Sequence, residues 1–120
     1  MGNTMLITVK GRKTGRKITL PVSYYRDGTN LWVISSRDRT WWRNLQQGAG
    51  VDLHLNGQDV QGYGEVISDE RTVALRLAEY VRYLPGSARQ IGLRVENEIP
   101  NSEDLVRVAH ERLFIRICVN

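Results

Sequence analysis

The chain lacks the residues that build covalent or metal-bound frameworks. Its one cysteine, Cys118, cannot close an internal disulfide and has no Cys or His neighbour at ligand spacing, so neither a disulfide scaffold nor a metal site is expected. Cys118 lies in the apolar run LFIRICV and is expected as a buried thiol. Histidine is as sparse: His54 falls in an alternating segment opposite no obvious acid, and His110 ends a polar helical segment where it is solvated. Triad or Cys-His catalysis therefore has no support. No apolar run approaches the ~20 residues that cross a bilayer, and the opening MGNTMLITVKGRK has no signal-peptide core, so a cytoplasmic protein without a transmembrane segment is expected. Linkers, repeats and biased tracts are missing too, which leaves one domain over residues 1–120. With 41% hydrophobic and 25% charged residues, that domain has the apolar content of a packed core and is not disordered.

What is present is a succession of short strands punctuated by turn signals. Leu6 to Val9, Ile18 to about Arg26, Leu31 to Ser35, Val51 to Leu55, Asp59 to Ile67 and Arg112 to Val119 have strand character, with hairpins at Asp27-Gly28 and Asn56-Gly57. Pro21 inside the second strand marks an edge or a bend. Gly62 and Gly64 inside the fifth point to curvature or to the close approach of another backbone. Thr40 is placed to cap a short helix, WWRNLQQ, which Gly48 stops; adjacent Trp41 and Trp42 face different ways, Trp41 toward the core and Trp42 toward a pocket or a dimer contact. Ser68 and Asp69 cap a helix from about Glu70 to Leu84, whose Val73, Leu77, Tyr80, Val81 and Leu84 form one apolar stripe. Ser87 to Leu93 has a turn or two of helix, and Asn101-Ser102 opens a helix to about His110. Hairpin-linked strands with helices inserted late predict a small antiparallel barrel with α elements, not a doubly wound parallel sheet.

Charge is unevenly spent. All the lysines, Lys10, Lys13 and Lys17, fall in one short stretch, and residues 1–50 carry nine Lys/Arg against two Asp while residues 51–120 carry eight Arg against eleven acids. The positive field belongs to the first half and attracts anions of any kind. At its centre stands GRKTGRK, two glycines in a turn with Arg12, Lys13, Arg16 and Lys17 around them. The spacing is neither a Walker loop nor GxGxxG. On these residues alone a solvated hairpin, a phosphate-binding turn and a nucleic-acid patch all remain open. Nucleic acid is the least supported, because the aromatics lie in apolar strands and not between the basic residues as stacking platforms.

Taken in order, GRKTG, LPV, YYRDG, LWVISS, WWRNL and VDLHLNG, over roughly Leu6 to Ile67, resemble the deazaflavin-dependent nitroreductase and quinone reductase family. That family belongs to the flavin-reductase-like split β-barrels, which include the pyridoxamine phosphate oxidases. The resemblance implies a mainly β fold with α elements, a split antiparallel barrel. It also implies that Gly11, Arg12, Lys13, Thr14 and Gly15, with Arg16 and Lys17 beside them, bind the phosphate and acidic tail of coenzyme F-420. The backbone of Thr19, Leu20, Pro21 and Val22 would lie along the deazaflavin ring. Ser36 would sit at the mouth between ring and tail, with a hydroxyl able to deliver a proton, and Trp42 and Asn44 would meet the cofactor from the short helix.

The chain departs from the family pattern after Ser36, where Arg37-Asp38-Arg39-Thr40 replaces a longer glycine-containing loop, so that Arg37 and Arg39 would supply the phosphate donors. This keeps FMN as the alternative cofactor. Ile18 also stands where a basic residue is often found. The expected activity is reduction of a small electron-poor acceptor, such as a quinone, nitroaromatic or enone, by hydride from the cofactor, with the cofactor carrying the chemistry and the protein orienting it. A homodimer is the superfamily default.

Overall fold

The alternation of side chains along the strands decides the architecture. In β1 (Thr4–Lys10), Met5, Ile7 and Val9 are buried while Thr4, Leu6 and Lys10 are exposed, so every second residue faces one interior. The same period runs through β2 (Lys17–Asp27), β3 (Asn30–Ser36), β4 (Ala49–Leu55), β5 (Gln58–Ile67) and β8 (Arg112–Val119). In this computed structural model, which describes residues 4–119, they close an antiparallel barrel in the order β1-β2-β3-β8-β5-β4. Met1 to Asn3 and Asn120, the ends of the expected 1–120 domain, lie outside the described residues.

Two hydrophobic layers hold it together. Leu20, Val22, Leu31, Val33, Leu53, Leu113, Ile115 and Ile117 fill the barrel, and Trp41, Trp42 and Leu45 of a 3₁₀ helix (Trp41–Leu45) are buried with them. Thr40 does not cap this helix with its side chain: its backbone, at φ −110° and ψ −16°, is not the extended conformation a cap needs. The second layer lies outside the barrel. Tyr25, Trp32 and Phe114 face outward and are covered by α1 (Glu70–Tyr83) and α3 (Ser102–Glu111) through Val73, Leu77, Tyr80 and Val108. Asp69 and Asn101 cap these helices as expected, accepting from Thr72 N at 3.0 Å and Asp104 N at 2.9 Å.

Strand parity corrects the expectation for Cys118. Leu113, Ile115 and Ile117 point inward, which turns Cys118 out, and the helices do not reach it; the thiol is exposed. His54 is also corrected, because register pairs it with Asp59 across the Asn56-Gly57 turn, Nδ1 to Oδ1 at 2.8 Å. Gly62 behaves as expected: a Cβ there would lie 2.9 Å from the Cys118 carbonyl oxygen, so β8 can approach only a glycine.

Between α1 and α3 the chain makes an excursion through α2 (Ser87–Gln90) and a small hairpin, β6 (Val95–Glu96) with β7 (Ile99–Pro100), the one element pair that strand signals missed. Its base is tied by Asp104, which is buried and accepts from Arg94 N at 2.9 Å, Arg94 Nε at 2.8 Å and Arg107 Nη2 at 3.3 Å. The Arg94 hydrogen bonds hold the Asp104 carboxyl well below the ordinary carboxylate range. A carboxyl depressed by folding stabilises above its unfolded pKa, about 4, and loses that contribution as pH falls through the folded value. The melting-temperature gap between wild type and Asp104→Asn is therefore expected to be widest at neutral pH and to narrow below about pH 4. A gap independent of pH would show that the charge contributes nothing.

Candidate functional site

The basic turn folds on itself before it can meet anything else. Gly11 N donates to Arg16 O at 2.7 Å, Gly15 N to Gly11 O at 2.9 Å, and Arg16 N to Thr14 Oγ1 at 3.2 Å. Gly15, at φ +70°, occupies the left-handed region that favours glycine, and a Cβ on Gly11 would press to 3.2 Å from Arg16 O. Arg12 N donates to Asn44 Oδ1 at 3.1 Å, which fastens the turn to the 3₁₀ helix, while Asn44 Nδ2 is spent on Trp41 O at 3.0 Å. Among the described hydrogen bonds, the amides of Lys13 and Thr14 at the tip have no internal partner.

Among the described residues, none of Lys10, Arg12, Lys13, Arg16, Lys17, Arg39 and Arg43 is paired with a carboxylate, although Arg12 Nη2 donates to Gln47 Oε1 at 3.4 Å and Arg43 lies over the Trp42 ring. Of the arginines after residue 50, Arg76, Arg94, Arg107 and Arg116 are paired and Arg71, Arg82, Arg89 and Arg112 are not. The turn thus presents two N–H groups without an internal partner beside cations without a carboxylate, the donor set that anions accept from.

From this turn β2 leads to a split in the barrel. Lys17 to Ser23 pair with β1, and only from Tyr24 to Asp27 does β2 pair with β3; Ile34 to Ser36 of β3 pair with β8 alone. The strand edge between them has backbone groups that the barrel does not use. A cleft of about 260 Å³ opens there, walled by Pro21 to Ser23, Ile34, Ser35, Arg39 and Trp41, and from the helical side by Tyr80, Ser87, Gln90, Ile91 and Arg112. That volume is just under the range usual for ligand pockets, so a ring-sized part of a ligand enters and the rest lies on open surface. A larger concavity of about 730 Å³ on the outer face of β1, β4 and β5 carries Asp52 and Asp59 and no lysine or arginine, a poor surface for an anion.

The expected site residues distribute unevenly over this geometry. Pro21 borders the cleft directly, and Leu20 and Val22 turn their side chains into the barrel, so what they offer along the seam is backbone. Thr19 faces the outer surface, its Oγ1 2.8 Å from Thr8 Oγ1. Arg39 lines the cleft, but Arg37 does not: its Nη2 donates to Ser68 O at 2.8 Å and Ala109 O at 2.9 Å, closing the end of α3 onto the β5–α1 junction. Ser36 donates to Asp38 Oδ1 at 2.5 Å. Both tryptophans are buried in the barrel core, as expected for Trp41 and not for Trp42. Trp42 is buried in the barrel with its Nε1 unpartnered, and Trp41 borders the cleft and donates to Ser35 Oγ at 3.2 Å. Ser23 and Arg112 were not legible as cleft residues, because nothing local signals that β8 closes the seam.

An antiparallel barrel opened along one strand, with a cationic turn at the strand's start, has the form of a split barrel of the flavin-reductase type. The comparisons agree. The family model of the F420H(2)-dependent quinone reductases matches residues 1–100, and the chain belongs to that family of oxidoreductases. Among solved structures it is similar to the FAD and heme binding protein from Mycobacterium smegmatis, at 17% identity and TM-score 0.60, over 98% of this chain and 61% of that one. The flavocytochrome Anf3 from Azotobacter vinelandii gives 14% identity and TM-score 0.62, over 98% and 58%. An F420 reductase gives 16% identity and TM-score 0.55, over 99% and 87%. The chain thus spans less than two-thirds of the first two, and at these identities the likeness is one of fold. No curated protein matches the chain. Among the described residues no helix is long and apolar enough to cross a membrane.

Proposed function

We propose that the protein is a deazaflavin-dependent reductase that holds coenzyme F-420 and reduces a small electron-poor acceptor, a quinone, nitroaromatic or enone. One observation carries this reading: the carboxylate-free cationic turn and the one-sided edge of β2 lie on a single strand. From Lys17 to Pro21 is four residues, about 13 Å of strand. A cofactor with an anionic tail and a flat polar ring matches that spacing of charge and backbone. The residues fit the group. The Lys13 and Thr14 amides with the Arg12, Lys13, Arg16 and Lys17 side chains would hold the tail, Arg39 the region between, and the backbone of Leu20 to Val22 the ring.

When bound, the reduced deazaflavin supplies two electrons and a hydrogen as hydride. The chain's own work is positional. The Asn44–Arg12 bond fixes the turn, Trp41 and Ile34 shield the seam from water, and the excursion held by Asp104 forms the far wall with Ser87, Gln90 and Ile91.

Titration with reduced deazaflavin, oxidised deazaflavin and FMN, followed by absorbance and tryptophan fluorescence, tests the reading. Deazaflavin is expected to bind, and its reduced form to persist in air until a quinone or nitroaromatic is added, because carbon replaces the N5 nitrogen that lets flavins react readily with oxygen. Tight FMN binding with no measurable deazaflavin affinity would overturn it.

A further inference from the structure

Tyr80 is a buried residue whose ring is fixed by packing and which lines the seam cleft. Its ring stands edge-on to Tyr25, with centroids 5.6 Å apart at 60°, and to Phe114, at 5.8 Å and 64°. The two contacts come from different strands, so the ring cannot swing without disturbing the second hydrophobic layer. Tyr25, its neighbour, has a buried hydroxyl beside Arg76. Tyr80 instead borders the seam cleft opposite Pro21 and Val22, with Ser23 within hydrogen-bonding reach and Arg112 beside it.

We infer that Tyr80 is the hydrogen-bond and proton donor to the acceptor, and that it selects acceptors bearing a carbonyl oxygen, quinones and enones, over those without one. This rests on the reductase reading above and adds to it the residue and the oxygen it addresses. Burial raises the Tyr80 pKa, with the Ser23 hydrogen bond and the Arg112 charge opposing, so the hydroxyl keeps its proton at neutral pH. A rigid phenol in a small, partly dry cleft donates to an oxygen held there more strongly than water would. For a quinone the balance is complete. The acceptor gains a hydride from the reduced deazaflavin, its carbonyl oxygen takes the proton from Tyr80 Oη as that O–H bond breaks, and hydroquinone results. Arg112 and the Ser23 hydroxyl offset part of the cost of the buried tyrosinate left behind, which takes a proton back from water through the Ser23 hydroxyl. Ser36, whose hydroxyl is engaged by Asp38, is then not needed as a donor.

The first test needs no turnover. Binding of 1,4-naphthoquinone and of 1,4-dimethylnaphthalene, a flat analogue without oxygen, is measured on wild type, Tyr80→Phe and Ser23→Ala, with and without oxidised deazaflavin. Tyr80→Phe keeps the ring and its packing, and a thermal melt confirms it. Quinone affinity is expected to fall about 2- to 10-fold in Tyr80→Phe, the loss of one hydrogen bond, with the hydrocarbon unaffected. Equal quinone affinity in wild type and Tyr80→Phe, or no quinone binding by wild type in either condition, overturns the inference. With reduced deazaflavin, single-turnover reduction of the quinone is expected to slow about 10²-fold or more in Tyr80→Phe with cofactor affinity unchanged. An unchanged rate overturns the proton-donor role. Failure of wild type to bind deazaflavin would strike the reductase reading alone, since the quinone-binding comparison still decides whether Tyr80 donates.

Discussion

Lys13→Glu combined with Arg16→Glu is expected to lower deazaflavin affinity by about 10²- to 10⁴-fold while the thermal melt stays essentially where it was. The binding loss follows from removing two charge-assisted contacts, each worth about 1.5–3 kcal/mol, at a site where each 1.4 kcal/mol is tenfold. Folding is spared because neither side chain has an internal partner: the turn is held by backbone bonds, by Thr14 Oγ1 and by Asn44. A control with the same change of charge, Arg71→Glu with Arg82→Glu on α1, separates the local site from the general field. If both pairs weaken binding equally, the turn is only one part of a diffuse positive surface. If the Lys13 and Arg16 pair leaves affinity unchanged, the tail binds elsewhere.

The contrast between Arg37 and Arg39 shows how far sequence reaches. The two residues share a loop, a charge and an expected role, and chain order cannot separate them. Arg37 N donates to Glu111 O at 3.0 Å, and the Arg37 guanidinium reaches two further carbonyls, so the residue closes α3. A helix end more than seventy residues away takes the cation because its last carbonyls need donors. Arg39, two residues on, lies past that helix end and faces the cleft. The six barrel strands, the Asp27-Gly28 and Asn56-Gly57 hairpins and both long helices were legible because each depends on local periodicity and turn chemistry. The turn was legible because its glycines and lysines are contiguous. The meeting of Tyr80 with Ser23 and Arg112 was not, since it depends on β8 inserting between β3 and β5 and on which face α1 presents. The exposure of Cys118 failed for a related reason: an apolar run does not reveal its parity until the register is known.

Parity also carries the second large effect, at consecutive residues of β2. Val22 is 7% exposed and packs inside the barrel, while Pro21 is exposed at the cleft. Val22→Arg would place a charge among Leu20, Val33 and their barrel neighbours with no acid to meet it. An unpaired buried charge costs several kcal/mol, against a total stability of about 5–15 kcal/mol for a domain, and overpacking adds to it. The variant is expected to lose its cooperative melt and its near-UV signal. Pro21→Arg projects outward, where the guanidinium stays in water, and the same protein is expected to melt cooperatively and to lose cofactor binding through obstruction of the seam. The two substitutions differ by one position and are expected to fail in opposite ways, one in folding and one in binding. Should Val22→Arg melt like wild type while Pro21→Arg unfolds, the strand would be turned over, its inward and outward faces exchanged, and the ring would have to be sought along the other face of β2.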